Sequence, residues 1–163
     1  MSLLTRLMIM AKIHRIQKEQ IIATDLETAW NFIRKPSNLN EITPDTLDFT
    51  IMSDVPDAMY DGLLIEYRIG MPLIGRRPWL TEIKHVRDRH SFVDEQRIGP
   101  YKMWLHYHEI AEVEGGVRFR DEVHYSMYAG PIGDLVHRLY VRGQVEAIFN
   151  YRETALPAAL LRA

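Results

Sequence analysis

No cysteine occurs among the 163 residues, which removes disulfide scaffolds, thiolate zinc sites, iron–sulfur clusters and thiol nucleophiles together. A basic excess is missing too, since 20 Lys and Arg stand against 22 Asp and Glu. A nucleic-acid surface needs positive charge clustered on one face, so no nucleic-acid partner is expected. Long apolar runs are also absent. Leu3 to Ala11 (LLTRLMIMA) is interrupted by Thr5 and Arg6 and falls far short of the roughly 20 residues of a membrane helix. It lacks the basic flank of a secretory signal, so residues 1–11 read as a poorly ordered leader, and a cytoplasmic protein without a membrane span is expected. Phosphate-loop and dinucleotide fingerprints are missing as well, so no cofactor is expected.

What is present reads as one domain over residues 12–155, followed by a C-terminal tail at 156–163. Lys12 to Thr24 suits a half-exposed strand. Asp25 is a natural N-cap for a helix from Leu26 to Arg34, and Pro36 ends it. Ser37 can cap a second short helix through Asn38 to Ile42. From residue 46 to residue 128 the period becomes twofold. Leu47 to Ile51 alternates. Leu63, Ile65, Tyr67, Ile69 and Met71 share one strand face; Trp79, Thr81, Ile83 and His85 share the next; Phe92, Asp94 and Gln96 share a third. Gly115-Gly116 separates two further strands as a two-residue hairpin turn. Strands without intervening helices imply an antiparallel meander. Pro131 then opens a long helix running to about Thr154. Its apolar residues point to more than one side, Ile132, Leu135, Val136, Leu139 and Tyr140 to one and Val145, Ile148 and Phe149 to another, as in a helix covered on several sides. Gly143 within it suggests close approach of a strand or ligand, or a bend.

The expected fold class is therefore α+β, a curved antiparallel sheet wrapped around a long C-terminal helix, with two short helices after the first strand. The hairpin register sets the polar residues. With Gly115-Gly116 as the turn, His106 lies opposite Tyr125 and His108 opposite Val123. One face then carries Trp104, His106, His108, Phe119, Asp121 and Tyr125, and the other Arg118, Arg120, Glu122 and His124. Asp121 becomes an inward acid beside two imidazoles. Three readings of this cluster stand: a buried hydrogen-bonded network, a polar handle in a small-molecule pocket, or a metal site of two imidazoles and a carboxylate. Metal is the least favoured, and none is expected.

The chain also resembles the START-related, birch-pollen-allergen-like helix-grip superfamily, and within it the polyketide cyclase/dehydrase-like proteins. The resemblance rests on Trp30, Pro36-Ser37-Asn38-Leu39, Ile42-Thr43-Pro44, Gly62, Trp79 to Ile83, Phe92 with Asp94-Glu95-Gln96, Gly99-Pro100-Tyr101, the alternation Trp104, His106, His108, and Asp121-Glu122-Val123 with Tyr125. It implies a hydrophobic cavity between sheet and helix holding a lipid, polyketide or similar apolar ligand. Tyr67, Trp79, Thr81, Phe92, Asp94, Gln96, Trp104, His106, His108 and Tyr125 would be its ligand-binding residues. Some members are cyclases or aromatases. For such chemistry His106 or His108 would be the base, Asp121 its orienting acid and Tyr125 a donor to the enolate. Relatives fused to dehydrogenase- or epimerase-like domains imply a partner of that kind as a further alternative.

Overall fold

The computed structural model describes residues 12–71 and 75–162. β1 (Ile13–Ile22) is followed by α1 (Leu26–Ile33), where the Asp25 carboxylate accepts the Thr28 N–H at 2.8 Å as the cap. A 3₁₀ segment at Pro36–Ile42 comes next. Its first helical residue is Pro36, which needs no donor there, and no side chain caps it, so Ser37 lies inside the turn. Leu47 belongs to another 3₁₀ turn, Asp45–Leu47, which shortens the expected 47–51 strand to β2 (Thr50–Ile51). The meander then runs through β3 (Leu64–Met71), β4 (Gly75–Arg87), β5 (Ser91–Ile98), β6 (Met103–Val113) and β7 (Gly116–Ser126). All neighbours are antiparallel, in the order β1-β7-β6-β5-β4-β3-β2.

Two departures from the sequence pattern matter for the sheet. His85 has a positive φ of 54° where the β4–β5 register breaks, so it leaves the face shared by Trp79, Thr81 and Ile83. In the β6–β7 hairpin, Val113 pairs with Gly116, and the turn is Glu114-Gly115 rather than Gly115-Gly116. The reason lies in β1. Gly116 has φ 139°, and any Cβ there would collide with the Ile22 carbonyl oxygen, so this glycine serves strand approach rather than the turn. The register moves by two residues. That preserves which side chains share a face but changes partners: His106 faces Val123, His108 faces Asp121, and Tyr125 faces Trp104.

The C-terminal helix α2 comprises Gly130–Val136, a π-helical turn at His137–Val141, and Arg142–Leu160. It crosses the concave face of the sheet. Val145, Phe149, Arg152 and Leu156, spaced at four, three and four residues, form its buried stripe. Leu156, Ala159 and Leu160 pack with Ile22, Ala29 and Trp30 in the main core. The expected tail at 156–163 is therefore corrected: the chain is helical through Leu160. Pro157 removes only one N–H near the end of the helix, where burial of its neighbours outweighs the loss. At the other end, Ile132, Leu135, Val136 and Leu139 are exposed among the described residues, and of that expected side Tyr140 is the residue that packs against the core. Among the described residues a Cβ at Gly143 would meet nothing within 4 Å, so no strand approaches that glycine. The expected leader at 1–11 lies outside the described residues.

Candidate functional site

The concave face is made polar at its centre by alternation alone. β5 presents Phe92 and Asp94, β6 presents Trp104, His106 and His108, and β7 presents Asp121, because residues two apart share a face. Asp94 pairs with His106 across β5–β6, and His108 pairs with Asp121 across β6–β7. The imidazoles pack with ring centroids 3.7 Å apart and planes tilted by 35°, and Phe92 stacks on His108 at 4.2 Å.

Every ring nitrogen meets a carboxylate. His106 Nε2 and His108 Nδ1 approach Asp121 Oδ1 at 2.8 and 2.9 Å; His106 Nδ1 and His108 Nε2 approach Asp94 Oδ2 at 3.3 and 2.8 Å. Two of these contacts, His106 Nε2 to Asp121 and His108 Nε2 to Asp94, have hydrogen-bond geometry and take one imidazole proton each. Burial by itself would push His106 down, but the charge of Asp94 and hydrogen bonds to Asp121 and Asp94 outweigh it and hold its pKa above the ordinary range. Burial opposes ionisation of Asp94 and Asp121 too. The charge of His106 and hydrogen bonds from both imidazoles hold Asp94 well below the usual carboxylate range; hydrogen bonds from both imidazoles and the charge of Arg152 do the same for Asp121.

Two adjoining cavities of about 140 and 90 Å³ flank this cluster. His106, Trp79, Thr81 and Trp104 line the larger, with Phe49, Ile69 and Phe149. His108, Phe92 and Asp121 line the smaller, with Ile65, Ile110 and Leu156. Tyr67 and Asp94 border both, as do Leu39 and Arg152, which were not among the expected ligand-binding residues. Burial, and secondarily the charge of Asp94, pushes the Tyr67 phenol far up, so it stays protonated. Trp79 Nε1 donates to Thr81 Oγ1 at 3.0 Å.

Two of the expected ligand residues lie elsewhere. Gln96 donates to the Tyr101 carbonyl at 2.7 Å and accepts the Tyr101 N–H at 3.3 Å, so it braces the Gly99-Pro100 turn. The Tyr125 hydroxyl lies 2.8 Å from His137 Nε2, and its ring packs against Trp104 and Tyr101. The two-residue register shift is what separates it from His106, which removes it as a donor at that imidazole. Arg152 had a signal in the sequence: it stands between Phe149 and Leu156 on a helical face that is otherwise apolar.

Among the described residues, Asp94, His106 and His108 have ligand-type atoms within 4.8 Å of one another. They could offer a cation two imidazoles and an oxygen. The cation would have to replace the short His108–Asp94 contact and lie in the field of the Arg152 guanidinium, so the arrangement suits hydrogen bonding better.

The sequence matches no protein-family model and none of the curated proteins. Solved structures do match. TTHA0849 from Thermus thermophilus superposes with a TM-score of 0.69 at 14% identity, over 91% of this chain and 98% of that one. Ara h 8.0201 superposes with a TM-score of 0.59 at 13% identity, over 93% and 100%. A nucleoside-diphosphate sugar epimerase from Corynebacterium glutamicum matches with a TM-score of 0.59 at 18% identity, over 88% of this chain but 28% of that one.

Proposed function

We propose that this chain, whose architecture is the helix-grip fold of the START-related and birch-pollen-allergen-like proteins, binds an apolar or aromatic small molecule between the sheet and α2. The observation that carries this reading is the pair of cavities joined at Leu39, Tyr67, Asp94 and Arg152, with aromatic and aliphatic walls and a few polar groups at one place. Small-molecule sites have that composition. Likeness to Ara h 8.0201 supports the fold on which it rests. Native mass spectrometry of the purified protein tests it: a bound mass that disappears on denaturation is expected, and a protein that takes up no apolar probe would sink the idea.

A second reading is an enzyme of cyclase, aromatase or dehydratase type. It is favoured by the His106–Asp121 contact of 2.8 Å at the wall of the larger cavity: with its pKa raised there, His106 suits the acid step of a dehydration, and it serves as base in the neutral form present above that raised pKa. Turnover unaffected by His106→Ala and His108→Ala together would exclude it. The epimerase match supports one further reading, a module serving a dehydrogenase- or epimerase-like partner, because there the same fold is part of a longer chain. Such an enzyme encoded beside this protein would support that reading, and its consistent absence would count against it.

A further inference from the structure

The binding reading leaves the ligand's chemistry open, and Arg152 narrows it. Its side chain is only 10% exposed and borders both cavities, yet its Nε is buried with no hydrogen-bond partner among the described residues. Its ion-pair contact among the described residues is Nη1 to Asp121 Oδ1 at 3.5 Å. This is longer than the roughly 2.7–2.9 Å of a charge-assisted hydrogen bond. The same oxygen is already approached by His106 Nε2 at 2.8 Å and His108 Nδ1 at 2.9 Å. Asp121 is thus engaged by the imidazoles before it reaches the guanidinium.

Among the described residues the Arg152 Nε is left without an acceptor, while Asp121 is shared with both imidazoles. An arginine held in an apolar hollow with free donors is a site for an anion, because a buried cation is stable only when paired. The planar fork matches a carboxylate, which can accept from Nε and one Nη together. Beside it the walls are apolar: Phe149, whose ring centroid lies 5.4 Å from the guanidinium carbon, with Leu156 and Leu39.

We infer that Arg152 is the anchor for an acidic headgroup, and that the ligand is an apolar carboxylic acid whose hydrocarbon part occupies the cavities while its carboxylate takes the unpaired side of the guanidinium. This rests on the binding reading above but can fail separately from it.

The test uses matched probes at pH 7, decanoate against decanol and 2-naphthoate against 2-naphthol, with affinities measured by calorimetry on the whole protein. Each acid is expected to bind at least tenfold more tightly than its alcohol. Arg152→Gln should abolish that preference, so that each acid binds no more tightly than its alcohol. If that variant does not fold, Arg152→Lys, which retains the charge, should keep a reduced preference. Asp121→Asn, which removes the competing carboxylate, should raise the ratio of acid to alcohol affinity about tenfold. Equal affinity for acid and alcohol, or a preference that survives Arg152→Gln, overturns the inference and leaves the binding reading standing. The same holds if the molecule extracted from purified protein proves to carry no acidic group. Failure of all four probes with no extractable ligand overturns both.

Discussion

His108 and Asp121 face each other as direct partners across β6 and β7, with Nδ1 and Oδ1 2.9 Å apart. The contact belongs to the sheet ladder itself, so it is positioned by backbone hydrogen bonds rather than by mobile loops. Removing the acid would leave His106, His108 and Arg152 facing a void. Breaking a buried ion pair from one side costs about 3–5 kcal/mol. At roughly 2–4 °C per kcal/mol for a chain of this size, Asp121→Ala should lower the melting temperature by on the order of 10 °C. Thermal circular dichroism measures this. A change of a degree or less would mean that the cluster is hydrated and its charges are independent.

The cluster also predicts how stability follows pH. Asp94 and Asp121 are held below their ordinary value of 3.8, so their contribution is present above that pH and is lost as pH falls through the depressed folded values. His106 is held above its ordinary value of 6.5, so its contribution is complete below pH 6.5 and fades as pH rises through the raised folded value. His137 acts in the opposite sense: burial first, then the charges of His14 and Lys12, lower its pKa, and protonation below pH 6.5 works against the fold. The clean observable is therefore a difference. The gap in melting temperature between the native protein and His106→Gln should be widest below pH 6.5 and narrow above it. A gap independent of pH would show that His106 does not titrate in the folded state.

The sequence made this centre partly legible because face membership in a strand depends only on parity. Phe92, Asp94, Trp104, His106, His108 and Asp121 all follow from alternation, and the two-residue register shift could not disturb them. Partner choice depends on the absolute register, which is why Tyr125 was expected at His106 but meets His137 instead. Gln96 failed for a different reason, since parity aims a side chain without saying that the next turn will claim it. Arg152 was readable from its place in an apolar helical stripe. The exposed Ile132 and Leu139 were not, because periodicity identifies an apolar side without showing that anything covers it.

Two glycines should respond in opposite directions to the same substitution. Gly116→Ala places a Cβ against the Ile22 carbonyl at a backbone angle that alanine resists, so β1 must shift away from β7. A loss of about 1–3 kcal/mol is expected. Gly143→Ala adds a Cβ into open space inside α2 and should stabilise by about 0.5–1 kcal/mol, since alanine loses less backbone freedom on entering a helix. Denaturant midpoints with unchanged slopes would measure both. A destabilised Gly143→Ala would indicate that the helix moves against another surface in solution.

The three tryptophans offer a spectroscopic reading of where a ligand sits. Trp79 and Trp104 line the larger cavity and stack edge to face at 5.4 Å, whereas Trp30 is buried in the core against Phe92, 6.4 Å away. Exciton and quenching effects act over short distances, and a molecule entering the cavity displaces whatever touches the first two indoles. Ligand binding should therefore change tryptophan emission in the native protein and equally in Trp30→Phe. Trp79→Phe with Trp104→Phe should lose most of the change, and with two large rings trimmed it should also bind apolar probes a few-fold more weakly. If the response instead resides in Trp30, the ligand enters through the smaller cavity beside Phe92, and His108 rather than His106 becomes the imidazole within its reach.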